Sequence, residues 1–126
     1  MKKFYFLLLG LFLFSGVNAQ IINFPDANFK AKLLSASPSN QIAQNLSGTH
    51  FKIDANSNGQ IEVSEASQVS FLNVSGSSIA SLLGIDSFYN LQILICQLNQ
   101  INSLDLSNCS ALISCNCSNN QLTSLN

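Results

Sequence analysis

The chain has no arginine and no tryptophan, one histidine (His50), two prolines and charge on only 9% of its 126 residues. Each shortage removes a class of function. With five lysines as the whole stock of cations, a nucleic-acid backbone finds no clustered basic track to lie on, and an anionic membrane surface finds none either. One imidazole, with no G-x-S-x-G, S-x-x-K or H-E-x-x-H arrangement, leaves no hydrolase constellation of the common kinds. Spacing does not exclude the paired carboxylates of glycoside hydrolysis, but there are only six acidic residues to supply them.

The longest apolar run lies at the start. "MKKFYFLLLGLFLFSGVNA" places Lys2 and Lys3 before an apolar stretch from Phe4 to Phe14 and small residues at Val17 and Ala19. That order is a secretory signal peptide over residues 1–19, and its apolar core falls well short of the ~20 residues a membrane-spanning helix needs. The mature chain then keeps Lys30, Lys32 and Lys52 against Asp26, Asp54, Glu62, Glu65, Asp86 and Asp105. It is mildly acidic, and residues 20–126 suit one small domain whose core is only just sufficient.

Four cysteines, at 96, 109, 115 and 117, all fall in the last third. They recur in step with leucines. At a shift of 21, "LQILICQLNQINSLDLSNCSA" from Leu91 lies over "LISCNCSNNQLTSLN" from Leu112, matching Leu91 with Leu112, Cys96 with Cys117, Asn99 with Asn120 and Leu104 with Leu125. With one extra residue, Val69, Leu72, Val74, Ser77, Ile79 and Leu82 form an upstream copy. The L-x-L/C core of each copy has the period of two of a strand with one buried face, too short to stand alone, so copies must stack as a parallel sheet. Asn99 and Asn120 sit where the chain leaves the strand, where an amide can pair the backbone groups the turn frees. Cys96, Cys115 and Cys117 take inward strand positions and Cys109 the apolar step behind, which suits thiols used as small hydrophobes. Cys96 and Cys117 would stack about 5 Å apart, so a disulfide between them stays open.

This pattern resembles the leucine-rich repeat, L-x-x-L-x-L-x-x-N-x-L, with cysteine at some leucine positions. The expected architecture is α/β: a leucine-rich repeat solenoid of short parallel strands with an irregular convex side over residues 69–126, behind a small helical cap over residues 20–68. The alternating residues then line a concave face, the usual docking surface of repeat proteins. They are Phe71, Asn73 and Ser75, then Ile93, Ile95 and Gln97, then Ser114, Asn116 and Ser118.

Upstream, "FPDANFKAKLLSASP" reads as a helix, with Pro25 in its first turn, Asp26 at the positive end of its dipole, and Phe29 and Leu33 one turn apart. A short second helix is expected around Ile42 to Leu46. "DANSNGQIEVSE" then fills the calcium-loop pattern D-x-[DN]-x-[DN]-G-x5-E. Asp54, Asn56 and Asn58 take positions one, three and five, and Gly59 the sharp turn. Gln60 offers its carbonyl, Glu62 stands at nine, and Glu65 closes the loop at twelve as a bidentate carboxylate. The competing reading is an Asn-Gly turn before a helix starting near Glu62. The resemblance to an EF-hand covers the loop but not a long incoming helix or a second loop, so it implies one weak structural calcium site rather than a sensor.

Together, the signal peptide, the "PDANFKAKLL" helix, the single loop and the cysteine-bearing repeats resemble the N-terminus of secreted bacterial leucine-rich repeat proteins, with a helical cap much as in internalins. The resemblance implies a non-enzymatic secreted or cell-surface interaction or adhesion module. Its ligand would be a protein or surface glycan, and the mature chain would have no transmembrane segment. The alternatives are the N-terminal part of a larger secreted enzyme, or a structural fragment with no partner of its own.

Overall fold

The computed structural model describes residues 20–126; the signal-peptide assignment to residues 1–19 lies outside them. Helix α1 runs Ala27–Leu34. Asp26 caps it, Oδ1 accepting the N–H of Asn28 at 2.9 Å and of Phe29 at 3.0 Å, which satisfies donors that the first turn otherwise leaves unpaired. Pro25 therefore precedes the cap and does not lie in the first turn. Phe29 and Leu33, one turn apart, are both fully buried.

The short helix expected around Ile42 to Leu46 does not form; Ala43–Asn45 is strand β1. The Asn45 side chain accepts the N–H of Ser47 and of Thr49, and Gly48 turns the chain at φ +79°. That tight turn folds the strand back so that Asn45 N–H reaches Thr49 O and Phe51 N–H reaches Ala43 O. A helix of five residues could not repay its own nucleation, whereas β1 gains a ladder with a neighbour. A four-residue helix α2, Val63–Ala66, follows, and then strand β2, Val69–Asn73.

Strands β3 (Ile93–Ile95), β4 (Ser103–Leu104), β5 (Ser114–Asn116) and β6 (Ser124–Leu125) complete the fold. The larger sheet has the order β1-β2-β3-β5, antiparallel at its first pair and parallel thereafter. Leu72 pairs with Leu94 and Leu94 with Cys115, the 22- and 21-residue steps read from the leucines. The side expected to be irregular carries a second, two-stranded parallel sheet, β4 with β6, joining Leu104 to Leu125. Gly76, Leu98 and Asn119, one per copy at the same steps, all adopt positive φ where the chain leaves the strand.

Inward side chains form one continuous core from the cap into the repeats. Phe24, Phe29, Leu33, Ile53 and Ile61 join Val69, Leu72, Val74, Leu94 and Cys96. Cys109 is buried on the step behind the strand. Cys115 is exposed and Cys117 half-buried, because β5 forms the sheet's outer edge. All four cysteines are free thiols, so Cys96 and Cys117 are not joined. Beside Cys96, the Cys115 thiol is lowered to about 7, chiefly through the hydrogen bond between the two.

Asp26 also fastens the cap to the first copy. Its second oxygen accepts the N–H of Ala80 at 2.8 Å and of Ser81 at 3.0 Å, more than fifty residues away. Burial alone would raise this carboxyl. The N–H groups of Ala80, Phe29, Ser81 and Asn28 outweigh it and hold the group below its ordinary value of 3.8. The depressed folded value means stabilisation is complete well above pH 3.8 and is lost as pH falls through the folded value. Asp26→Ala is expected to cost about 2–3 kcal/mol at pH 7, the sum of a lost cap and two charge-assisted bonds. Urea titrations of both proteins should show that gap closing as the pH is taken below 4, by about one pH unit or more.

Candidate functional site

The acidic loop spans the turn between the β1 hairpin and α2. Asp54 is buried, and its two oxygens accept the N–H of Asn58 at 3.2 Å and of Gly59 at 3.0 Å. Gly59 turns the chain at φ +78°, a conformation that favours glycine. Asn56 and Asn58 use their carbonyl oxygens within the loop, accepting the N–H of Asn58 and of Gln60 respectively. Their amide nitrogens both reach Glu62 Oε1. Gln60 is fastened through its side chain, Oε1 accepting from Lys30 Nζ at 2.8 Å.

The two glutamates are used differently. Glu65 Oε1 accepts the N–H of Ala55 at 2.9 Å and of Asn56 at 3.4 Å, and its Oε2 accepts the N–H of Glu62 at 3.0 Å. Burial first, and then the Glu62 carboxylate beside it, hold the Glu65 carboxyl above its ordinary value. The Glu65 side chain first, and the Asn58 amide second, hold Glu62 below its own. Glu62 is 4% exposed and caps α2, forming with Glu65 a reciprocal capping box, while its Oε2 is buried without a hydrogen bond of its own. Among the described residues, no three His, Cys, Asp or Glu side chains converge into a metal cage.

Sequence reasoning did not see what closes the loop's backbone edge. Ile22 N–H donates to Ile61 O and Val63 N–H to Gln20 O, both at 2.9 Å, and Ile21 bridges Glu62 in antiparallel fashion. The first described residues thus occupy the edge that a second loop would need, and Ile61 is fully buried beneath it. The sequence Ile21-Ile22-Asn23-Phe24 does not alternate apolar with polar, so it carried no clear strand signal; only the folded chain buries Ile22 and Phe24 and exposes Ile21 and Asn23. On the other flank a β-hairpin, residues 43–51, stands where an EF-hand has its incoming helix.

The nine residues expected on the docking face lie on the outward side of the larger sheet, and the register brings them together. Phe71, Ile93 and Ser114 form one row and Asn73, Ile95 and Asn116 the next. All are half-buried or exposed, with Ser75, Gln97 and Ser118 continuing the surface. Gln97 Oε1 accepts from Asn116 Nδ2 at 2.9 Å and from Ser118 Oγ at 3.4 Å, so the polar end is organised by its own hydrogen bonds. Gln44 extends the first row through its pairing with Phe71 and contacts His50 at 3.3 Å. Asn99 and Asn120, by contrast, point inward and bond backbone only.

No protein-family profile matches the chain. No curated protein matches it either. Solved structures do. The functional domain of InlJ from Listeria monocytogenes, described as including a cysteine ladder, aligns at TM-score 0.57 and 26% identity over 82% of this chain and 22% of that one. The internalin InlF from the same organism aligns at 0.57 and 23%, over 81% of this chain and 29% of its own. The CBM51-2 and INT domains of ZmpB from Clostridium perfringens align at 0.57 and 23%, over 79% of this chain and 18% of theirs. The chain thus spans less than a third of each of these three solved chains. What it shares with them is an internalin-like fold of the α/β, repeat-like kind.

Proposed function

We propose that this chain is a non-enzymatic interaction module of a secreted or cell-surface protein. A calcium-binding loop in its cap would secure the start of a leucine-rich repeat solenoid. The observation that carries the module reading is the outward face of the sheet. Its nine positions, six of them in strand register, hold no charge, with Phe71, Ile93 and Ile95 at the centre and Asn, Gln and Ser around them. An apolar centre within a polar, uncharged rim is the composition of a protein-binding patch. It offers nothing to a phosphate or a polyanion. The partner we favour is a protein segment that lies across the strands.

The calcium reading rests on fit. A carboxylate oxygen without a donor is costly to bury, and Glu62 Oε2 stands inside a loop that already carries Asp54, Asn56, Asn58 and Glu65. Asp54, Asn56, Asn58, the Gln60 carbonyl, Glu62 and Glu65 are the residues that would hold the ion. It would supply no reaction chemistry, only a tie between the β1 hairpin and α2. With three carboxylates and two amides, a dissociation constant on the order of 0.1–1 mM is expected, as in extracellular modules.

Two measurements test these parts separately. In 10 mM calcium the melting temperature should rise by about 5–10 °C over that in chelator, the shift such an affinity produces in a domain of this size; an unmoved transition removes the calcium role. A random peptide display library should enrich uncharged, apolar-rich segments on the wild type and lose them on Ile93→Lys/Ile95→Glu. Both substituted side chains are partly exposed, so the fold should survive. Enrichment that persists on the double variant would place any docking elsewhere.

A further inference from the structure

Residues 1–19 carry the pattern of a secretory leader, and the bond after Ala19 is the one that pattern marks for cutting. The residue then left with a free α-amine is Gln20. We propose that Gln20 is a modification site: once the leader is removed, it closes on itself to a pyroglutamyl ring, giving the mature chain a blocked, uncharged N-terminus. The proposal rests on the secretion reading above and goes beyond it.

The chemistry needs nothing from outside the residue. The α-amino nitrogen attacks the side-chain carbonyl carbon Cδ, a nitrogen–Cδ bond forms, and the Cδ–Nε2 bond breaks. One α-amino proton passes to Nε2, which leaves as ammonia, and a five-membered lactam remains. An α-amine of ordinary pKa, about 7.7–8.0, is roughly one-tenth in its nucleophilic neutral form at pH 7. Amine and carbonyl belong to one residue, so their encounter is intramolecular. Before cutting, the same nitrogen is an amide bonded to Ala19 and does not attack.

The fold leaves this residue free to close. Gln20 is exposed and borders an open surface cavity of about 370 Å³. Among the described residues its side chain makes no hydrogen bond, and its backbone is held only through the carbonyl, which accepts the N–H of Val63 at 2.9 Å. Ring closure joins the nitrogen to Cδ and leaves rotation about Cα–C free, so that carbonyl keeps its partner.

The partner gives the block its use. Val63 opens α2, where the first N–H groups have no acceptor within the helix. The next two residues continue the edge: Ile21 bridges Glu62, and Ile22 N–H donates to Ile61 O at 2.9 Å. Exposed termini are where trimming concentrates. An aminopeptidase would remove Gln20 first and then these contacts in turn, whereas a lactam offers it no α-amine to engage.

The test follows the full 126-residue chain, expressed with its own leader in a secreting bacterial host, by intact mass and stepwise N-terminal degradation. The exported wild type should weigh one ammonia less than residues 20–126 and resist degradation. Gln20→Ala, which keeps the backbone carbonyl, should show the full mass of its own cut chain and be readable from residue 20. Aminopeptidase should then shorten the variant and lower its melting temperature by several degrees, with the wild type unchanged; equal resistance overturns the protective role. Exported residues 20–126 at full mass, with an open N-terminus after prolonged incubation at neutral pH, overturn the proposal and leave secretion standing. Export after a cut at any other bond does the same. A chain that stays in the cell with residues 1–19 attached overturns the secretion reading and the proposal with it. Loss of ammonia from Gln20→Ala as well would place the modification at another residue, such as Asn58 before Gly59, and overturn the assignment to Gln20.

Discussion

Asn99→Ala is expected to destabilise the protein by about 3–5 kcal/mol, the range reached when a buried polar network loses its centre. The side chain is 8% exposed and makes five hydrogen bonds. Its Oδ1 accepts the N–H of Ser77 and Ile79 from the preceding copy, and its Nδ2 donates to Val74 O, Cys96 O and Gln97 O. It replaces, for two successive copies, the ladder that ends where the strands end. Alanine would leave those groups unpaired in a core that water does not enter. Asn99→Asp should do little better, because a carboxylate offers no donor to three carbonyls.

The homologous Asn120 is the internal control. Its Oδ1 serves only Ile101 N–H, its Nδ2 reaches Cys96 O, Cys117 O and Ser118 O, and the residue is half-buried. Water can compensate there, so Asn120→Ala should cost about 1–2 kcal/mol. Urea titration separates the two: Asn99→Ala should shift the midpoint at least twice as far at an unchanged slope. Equal shifts would mean that the asparagines act through the turn alone and not through the buried bonds between copies.

The repeat was legible because it is written in spacing. Leucine steps of 22 and 21 residues predict the register, and Leu72, Leu94 and Cys115 obey it. The nine outward residues follow from the same alternation, since a period of two leaves no choice of face once the inward positions are known. The Asn99 and Asn120 bonds were foreseeable for a related reason, as a turn off a buried strand must pair its freed backbone groups.

The cap was less legible, because non-local contacts shape it. Nothing near Ile42 forbids a helix; β1 exists because β2, some twenty-five residues later, offers an edge. Asp26 reads locally as a residue suited to a helix start, and no local pattern shows that its second oxygen is meant for Ala80 and Ser81. The loop motif names side chains that the fold does gather in one loop, but not the hydrogen bonds that each of them makes there. Motif positions say which side chains can reach a point, and only the folded backbone decides which are already taken.

Gly84→Ala should come close to Asn99→Ala in effect, for a reason that involves no hydrogen bond. Gly84 opens the short 3₁₀ turn Ile85–Ser87 at φ +106°, a conformation from which a β-carbon is largely excluded. A β-carbon there would lie 2.5 Å from Phe24 Cδ1, 2.7 Å from its Cε1 and 3.0 Å from Asn23 O. The ring cannot withdraw, because Phe24 is 7% exposed and packs edge-on against Phe29, with centroids 5.2 Å apart, and tilted against Phe88 at 6.4 Å. Strain at the backbone and overpacking of the ring together give about 3–5 kcal/mol. Gly48→Ala provides the comparison: φ is +79° but no atom lies within 4 Å of the added carbon, so only the backbone term of about 1–2 kcal/mol remains. The damage at Gly84 should also travel along the chain. Asn23 and Phe24 continue the segment that pairs with Ile61 and Val63, so a displaced Phe24 pulls on the edge that closes the acidic loop. Hydrogen exchange in Gly84→Ala should accordingly quicken first at the amides of Ile22 and Val63, while the Val74 and Cys96 amides between copies stay protected. Uniform acceleration at all four would mean that the cap and the repeats unfold as one unit.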